Sequence, residues 1–210
     1  HFIERLNVMF TGLIQSVGKI KYRATRIAVE GCEPFSPLML GESVAVDGVC
    51  LTVASHIRGG FLADVSEETL SRTTLGFKAE RRSFVNLEPA LRLSDRLGGH
   101  LLSGHIDGIG KIISIDYFNN YWRLEVRWEN SDFGKYICEK GSIAVDGISL
   151  TVGGFSEKGN QFWIAVIPHT WTHTSLGYLA PGSVVNLEAD LMAKYAESLL
   201  VSVNSSFPGT

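Results

Sequence analysis

Along most of this chain apolar and polar residues alternate with a period of two. Ser43-Val-Ala-Val-Asp47 does so, and Cys50-Leu-Thr-Val-Ala54 resumes the bias after a break at Asp47-Gly48. Phe61–Val65, Phe84–Glu88, Trp122–Trp128 and Phe162–Ile167 read the same way. Short alternating runs of this kind are strands with one buried face. Asp47-Gly48 and Asp146-Gly147 are two-residue hairpin turns, because Gly accepts positive φ and Asp tolerates it. Short strands between Gly, Asp and Asn turns predict closed barrels, which leave no open sheet edge. Helical spacing is rare. Glu67–Leu75 predicts a short helix stopped by Gly76. Asp190–Val203 is the strongest case: Leu191, Tyr195, Leu199 and Val203 recur at i, i+4, with Met192, Ala196 and Leu200 alongside. Asp190 stands where a carboxylate can cap free N–H groups. The apolar stripe of this helix either packs on its own barrel or joins subunits. Ser205–Thr210 reads as a frayed tail.

The pattern occurs twice. Gly41–Val53 is GESVAVDGVCLTV and Lys140–Val152 is KGSIAVDGISLTV. Thr11–Ile20 matches Ser103–Ile112, Thr69–Gly76 matches Thr170–Gly177, and Ser83–Glu88 matches Ser183–Glu188. Four blocks keep their order at a shift of about 92 to 101 residues, so two homologous domains are expected, not a short solenoid repeat. The expected boundaries are 9–97, 98–189 and a terminal helix 190–203. Residues 1–8 read as a leader or processing remnant, with Met9 the natural start. Within the matched motif the chemical change is Cys50 against Ser149. Leu13 likewise stands against His105.

Composition narrows the function. Charged residues make up 20% of the 210, and the net charge of −3 gives no general pull toward nucleic acid. No apolar run approaches the roughly 18 residues of a membrane span. Three cysteines without C-x-x-C spacing argue against a disulfide framework or zinc site and fit a reducing cytoplasm.

Met9-Phe-Thr-Gly-Leu-Ile14, Gly98-Gly-His-Leu-Leu-Ser-Gly-His-Ile-Asp107 and Lys140–Val152 together closely resemble the riboflavin synthase family, from Met9 to about Val201. The resemblance implies an all-β fold: two similar six-stranded Greek-key barrels, closed and flavin-reductase-like, followed by a C-terminal α-helix. It implies a homotrimer assembled around those helices, with active sites between subunits, and association with lumazine synthase. It implies a transferase: one 6,7-dimethyl-8-ribityllumazine gives a four-carbon unit to another, yielding riboflavin and 5-amino-6-ribitylamino-uracil, with no metal or redox cofactor. The ligand-binding stretches it implies are Gly12, Leu13, Ile14, Cys50, Leu51, Thr52, Asp64, Val65, Ser66 and Thr69 in the first half. In the second they are Gly104, His105, Ile106, Ser149, Leu150, Thr151, Val166, Ile167 and Thr170. Lys140 is a further contact across the site, and Ser43 and Asp190 are weaker candidates.

The residues suit that chemistry. Two copies of one binding domain hold two copies of one molecule in fixed orientation. A flat polar ring with a polyhydroxyl tail needs backbone and hydroxyl hydrogen bonds around an apolar slot. A base must take a proton from the C7 methyl of one molecule. A nucleophile, water or a protein hydroxyl, must add at C7 of the other. His105 can move protons near neutral pH. Ser149 and Thr151 can donate to an adduct or add directly, and Cys50 is the first-half counterpart. His105 and Ser149 are thus expected together on a proton-handling second barrel. His100 either orients a loop or supports His105. Each residue also has a structural reading: Cys50 as a buried small residue, the threonines as strand formers, Asp47 and Asp146 as turn formers, and Lys140, His169 and His173 as surface. Two rivals remain: a non-catalytic lumazine or flavin carrier (an antenna protein), and the flavin-binding barrel of a reductase. The second lacks the Gly-rich strand–turn–helix motif a nucleotide domain would bring.

Overall fold

The computed structural model describes residues 8–206, with side chains through residue 200. The expected leader lies outside the described residues except for Val8, as does the tail from 207 to 210. The first half contains β1 (Ser16–Arg23), β2 (Arg26–Glu30), β3 (Ser43–Val46), β4 (Val49–Thr52), β5 (Ser55–Ile57), β6 (Gly60–Ala63), α1 (Glu67–Arg72), α2 (Leu75–Glu80) and β7 (Phe84–Pro89). The second contains β8 (Gly108–Phe118), β9 (Tyr121–Trp128), β10 (Ser142–Val145), β11 (Ile148–Ser156), β12 (Gln161–Val166), α3 (Pro168–His173) and β13 (Val184–Ala189). The helix α4 (Leu191–Ser206) follows.

In the second half β10-β11-β12-β9-β8-β13 close into a six-stranded antiparallel barrel. The first half has the same neighbours in the order β4-β3-β7-β1-β2-β6-β5, but forms a seven-stranded sheet where a six-stranded barrel was expected. The difference is one interrupted strand. β11 runs through, pairs with β10 and β12, and absorbs a register shift between Val152 and Gly154. Its counterpart breaks at Val53-Ala54 into β4 and β5, the two ends of the first-half sheet. Each half encloses its own core: Ile20, Val29, Val44, Phe61, Leu75 and Leu87 in one, and Ile112, Leu124, Trp128, Ile143, Phe162 and Leu187 in the other.

The Asp-Gly turns form as expected. Asp47 and Asp146 both have φ of 45°, followed by Gly48 at 81° and Gly147 at 77°. These turns also make the seam between the halves. They stack so closely that a Cβ on Gly147 would lie 2.6 Å from the Gly48 nitrogen. Asp47 and Asp146 are fully buried, and the single ammonium of Lys78 donates to both, at 2.5 and 2.8 Å. Asn86 and Asn186 complete the centre reciprocally: the Asn86 amide donates to the Asp146 carbonyl and the Asn186 amide to the Asp47 carbonyl, both at 2.9 Å. Burial pushes the Asp47 carboxyl up to about 7, against the Lys78 charge, and the neighbouring Asp146 charge adds to the rise.

Gly76 does not stop a helix. α1 ends earlier, where Thr73 turns extended and its hydroxyl donates to the Thr69 carbonyl at 2.7 Å; Gly76 then lies inside α2. Asp190 caps α4 as expected, its Oδ1 accepting from the Met192 N–H at 2.9 Å. Ser205 and Ser206 belong to the helix. Lys135 donates to Glu197 and Lys194 to Asp107, which hold one side of α4 to the second barrel. Met192, Tyr195, Leu199 and Leu200 remain 61–75% exposed.

Candidate active site

Each half carries a glutamate that holds a short loop. Glu88 accepts from the N–H and hydroxyl of Thr11, at 2.7 and 2.6 Å, and from the Gly12 N–H at 2.9 Å. Glu188 does the same for Ser103 and Gly104, at 2.6, 2.7 and 3.1 Å. Burial raises both carboxyls, and these hydrogen bonds oppose the rise. Gly12 and Gly104 have φ of 77° and 76°, the left-handed region that costs glycine little.

The two loops then cross over. Phe10 and Leu102 pair antiparallel. Beyond them, the Gly12 carbonyl accepts from the Ser149 N–H and the Gly104 carbonyl from the Cys50 N–H, both at 2.9 Å. A Cβ on Gly12 would meet the Ser149 Cβ at 2.5 Å, and one on Gly104 would meet that of Cys50 at 2.7 Å. Side-chain packing agrees: Ile14 rests on the second core and Ile106 on the first.

This exchange corrects the grouping expected from the repeat. Gly12-Leu13-Ile14 lies with Ser149-Leu150-Thr151, while Gly104-His105-Ile106 lies with Cys50-Leu51-Thr52. His105 and Ser149 therefore belong to different composite faces. The repeat tells which residues are equivalent, and the crossing at Phe10 and Leu102 decides which of them touch. The face around Cys50 continues to Asp64–Thr69, because the Ala54 N–H donates to Leu62 at 2.9 Å and draws β6 alongside. The face around Ser149 continues to Val166–Thr170 through the pairing of β11 with β12.

Within these faces Thr52, Thr151, Leu13, His105, Ile167 and Lys140 are exposed, and Cys50 and Ser149 half-buried. Leu51, Leu150 and Val166 are buried in the cores. Asp64 is exposed and paired to Arg26 at 2.8 Å. Ser66 caps α1 by accepting from the Thr69 N–H at 3.1 Å, and Val65 packs on the first core. Thr170 is half-buried and its carbonyl accepts from the Thr174 hydroxyl. Ser43 pairs with Thr52 across the β3–β4 ladder, and Lys140 with φ of 64° occupies a turn before β10. Of the expected residues, only Leu13 and Ser43 line the cavity of about 820 Å³ beside Leu38 and Arg92.

His100, expected to orient a loop or support His105, meets Ser149. Its Nδ1 lies 2.7 Å from the Ser149 Oγ. The ring is partly buried, which lowers its pKa, while the charge of Asp190 acts in the opposite direction. The Gly98-Gly99-His100 run was the available signal.

A seven-stranded sheet and a closed barrel of matching strand order, with reciprocally exchanged loops, define a tandem two-domain β fold. The lumazine binding domain family matches residues 11–90 and 103–190, and the chain belongs to that family. It is 42% identical over 207 residues to the riboflavin synthase of Actinobacillus pleuropneumoniae, covering 95% of this chain and 94% of that protein. It is 43% identical over 202 residues to that of Mycobacterium tuberculosis (strain H37Rv), covering 92% and 99%, and 36% identical over 203 residues to that of Bacillus subtilis (strain 168), covering 94% and 93%. Among solved structures, LumP complexed with 6,7-dimethyl-8-(1'-D-ribityl) lumazine superposes with a TM-score of 0.74 at 23% identity, over 86% of this chain and 98% of that one. LumP complexed with riboflavin gives 0.76 at 24%, with the same coverage. At that identity the likeness is one of fold.

Proposed function

We infer that this chain has riboflavin synthase activity. Two molecules of 6,7-dimethyl-8-ribityllumazine react, one passing a four-carbon unit to the other, to give riboflavin and 5-amino-6-ribitylamino-uracil. The observation that carries the reading is 36–43% identity over nearly the whole chain to relatives named riboflavin synthase, with both halves matching the lumazine binding domain. The geometry agrees with a reaction between two copies of one substrate. Two faces of equal frame, each built from a loop of one half and a strand of the other, give each copy a fixed place. In this reading the backbone of Gly12–Ile14 and Ser149–Thr151 lines one lumazine, with Val166, Ile167 and Thr170. That of Gly104–Ile106 and Cys50–Thr52 lines the other, with Asp64–Ser66 and Thr69. Thr52 and Thr151 offer hydroxyls to the ring. His105 and Cys50 handle protons on one face and Ser149 on the other. Lys140, Ser43 and Asp190 stand at the edges.

Leu13, Thr52, His105 and Thr151 are exposed, and in this reading a second subunit brings two lumazines together over them. The exposed stripe on α4 supports assembly through that helix, and a homotrimer is the assembly we propose. We place the protein in the cytoplasm, with association with lumazine synthase as a further proposal. Incubation with 6,7-dimethyl-8-ribityllumazine tests the activity. Riboflavin fluorescence should appear as lumazine emission falls, at one riboflavin per two lumazines. Persistent lumazine emission with no riboflavin would instead identify a carrier.

A further inference from the structure

The two halves close a matched helical turn by different means. α1 follows β6 and α3 follows β12, and both end alike: the Thr73 hydroxyl donates to the Thr69 carbonyl and the Thr174 hydroxyl to the Thr170 carbonyl, each at 2.7 Å. By the repeat, Glu68 and Arg72 of α1 stand where His169 and His173 of α3 stand. All four are exposed, and the i, i+4 spacing puts each pair on one face of its helix. In α1 the pair closes as a salt bridge, with Arg72 Nε 3.3 Å from Glu68 Oε1. In α3 two imidazoles take those places, stacked with ring centroids 4.2 Å apart and planes at 14°. They cannot close an ion pair with each other, because neither carries a negative charge. The backbone assigns a lone pair instead. His173 Nδ1 lies 2.8 Å from the His169 carbonyl oxygen. A carbonyl only accepts, so Nδ1 holds the hydrogen and donates, which leaves the lone pair of the neutral ring on Nε2. A backbone carbonyl on the other ring nitrogen is the support that metal-ligating histidines ordinarily have. The Thr172 hydroxyl lies 3.0 Å from the same Nδ1 and donates to the Pro168 carbonyl at 3.0 Å. Among the described residues no cluster of three or more His, Cys, Asp or Glu side chains is placed to hold an ion, so this pair offers two ligands and no more.

We propose that His169 and His173 form a two-histidine site for a divalent transition-metal ion of the class imidazole suits: Cu²⁺, Ni²⁺ or Zn²⁺. Two metal–nitrogen bonds of about 2.0–2.1 Å span about 4 Å at most, and the stack already holds the rings near that separation. Held by both rings, the ion clasps the turn that Glu68 and Arg72 clasp in α1, and water fills its other positions. Mg²⁺ and Ca²⁺, which take oxygen ligands, do not fit. The clasp is separate from the reaction proposed above, and its ion takes no part in that chemistry.

The test uses the full chain without an affinity tag and two double variants. His169→Gln/His173→Gln removes the ligands, and His169→Glu/His173→Arg copies the α1 pair. NiCl₂ is titrated into each by calorimetry, and retention on a nickel-charged iminodiacetate column is read alongside. The unaltered chain should bind Ni²⁺ and be retained. Both variants should bind at least about tenfold more weakly and elute early, since losing the ligands costs no less than losing the group that orients one. Saturating Ni²⁺ should raise the melting temperature of the unaltered chain and leave those of the variants unmoved. CuCl₂ should bind the unaltered chain more tightly than NiCl₂, and MgCl₂ should not bind. The exchange to Glu and Arg keeps a turn-closing pair, so it should retain the far-UV spectrum of the unaltered chain. Ni²⁺ binding of equal strength in the unaltered chain and both variants would place the ion on other histidines and overturn the site. Absence of Ni²⁺ binding by the unaltered chain would overturn it as well. No lumazine is present, so the result is independent of the riboflavin assay.

Discussion

At the scale of single residues, the difference between the halves is one of partners more than of atoms. Cys50 and Ser149 are nearly isosteric and sit at the same register opposite Ala45 and Ala144. Cys50 packs against the cluster of Phe10, Ala45, Leu102 and Ala144, and the Ser149 hydroxyl lies 2.7 Å from His100 Nδ1. His105 stands apart from both: it is exposed, on a loop whose Gly104 is pinned to Cys50. If it moves protons on the Cys50 face, His105→Gln should lower turnover by about 10²-fold while leaving lumazine affinity nearly unchanged. Equal losses in steady-state kcat and in equilibrium binding would remove that role. The candidates themselves were legible in the sequence, because Gly-Gly-His-x-x-Ser-Gly-His-x-Asp is a dense polar block. The partner of each histidine was not. His100 and His105 are five residues apart, yet their loop crosses the seam, so the first meets Ser149 and the second lies by Cys50.

At the scale of elements, alternation and the Asp-Gly turns located β3, β4, β6, β7, β9 and β12 to within a residue or two, and i, i+4 spacing located α4, while β1, β2, β5 and β8 were not singled out. What periodicity could not supply was the continuity of a strand. β11 survives its register shift, and its counterpart breaks into β4 and β5, although both follow the same motif. Nor could the hydrophobic stripe of α4 say where it packs. The structure leaves Met192, Tyr195, Leu199 and Leu200 in water while Lys194 and Glu197 tether the opposite side. A row of exposed large apolar residues on a tethered helix is the feature on which the proposed assembly rests. If α4 joins subunits as proposed, Leu199→Asp should give monomers by analytical ultracentrifugation where the unaltered protein is a trimer, and abolish riboflavin formation, while the far-UV signature is kept. An unchanged sedimentation coefficient would show that the helix joins nothing.

At the scale of the whole molecule, the halves are held by a buried centre that the sequence presents as two ordinary turns. Nothing in Asp47-Gly48 or Asp146-Gly147 announces that Lys78, from α2, reaches both carboxylates. Removing that cation leaves two buried carboxylates unpaired, so Lys78→Met should cost on the order of 3–5 kcal/mol in urea unfolding. The pH response has a definite sign. Asp47 rises from 3.8 to about 7 on folding, so the folded chain holds this proton more tightly than the unfolded one. Its contribution to stability is then fullest below pH 3.8 and is lost as pH rises through about 7. Lys78 is shifted upward too, so its own contribution stays intact throughout that window. Asp47→Asn keeps the acceptor that holds the Asn86 N–H and removes the titration. Its melting temperature should vary less between pH 4 and 7 than that of the unaltered protein; parallel curves would count against the buried titration.

One cation for two carboxylates has a consequence for ancestry. Lys78 corresponds by the repeat to Leu179, so only one half supplies the charge. Two identical, separate copies meeting about a twofold axis would bring two lysines to their aspartates, or none. An odd number requires the two copies to differ in sequence, as halves joined in one chain are free to do. The same covalent join lets one half carry a thiol at Cys50 where the other sets the Ser149 hydroxyl beside His100. The lone lysine is thus a record, at the centre of the molecule, of symmetry given up.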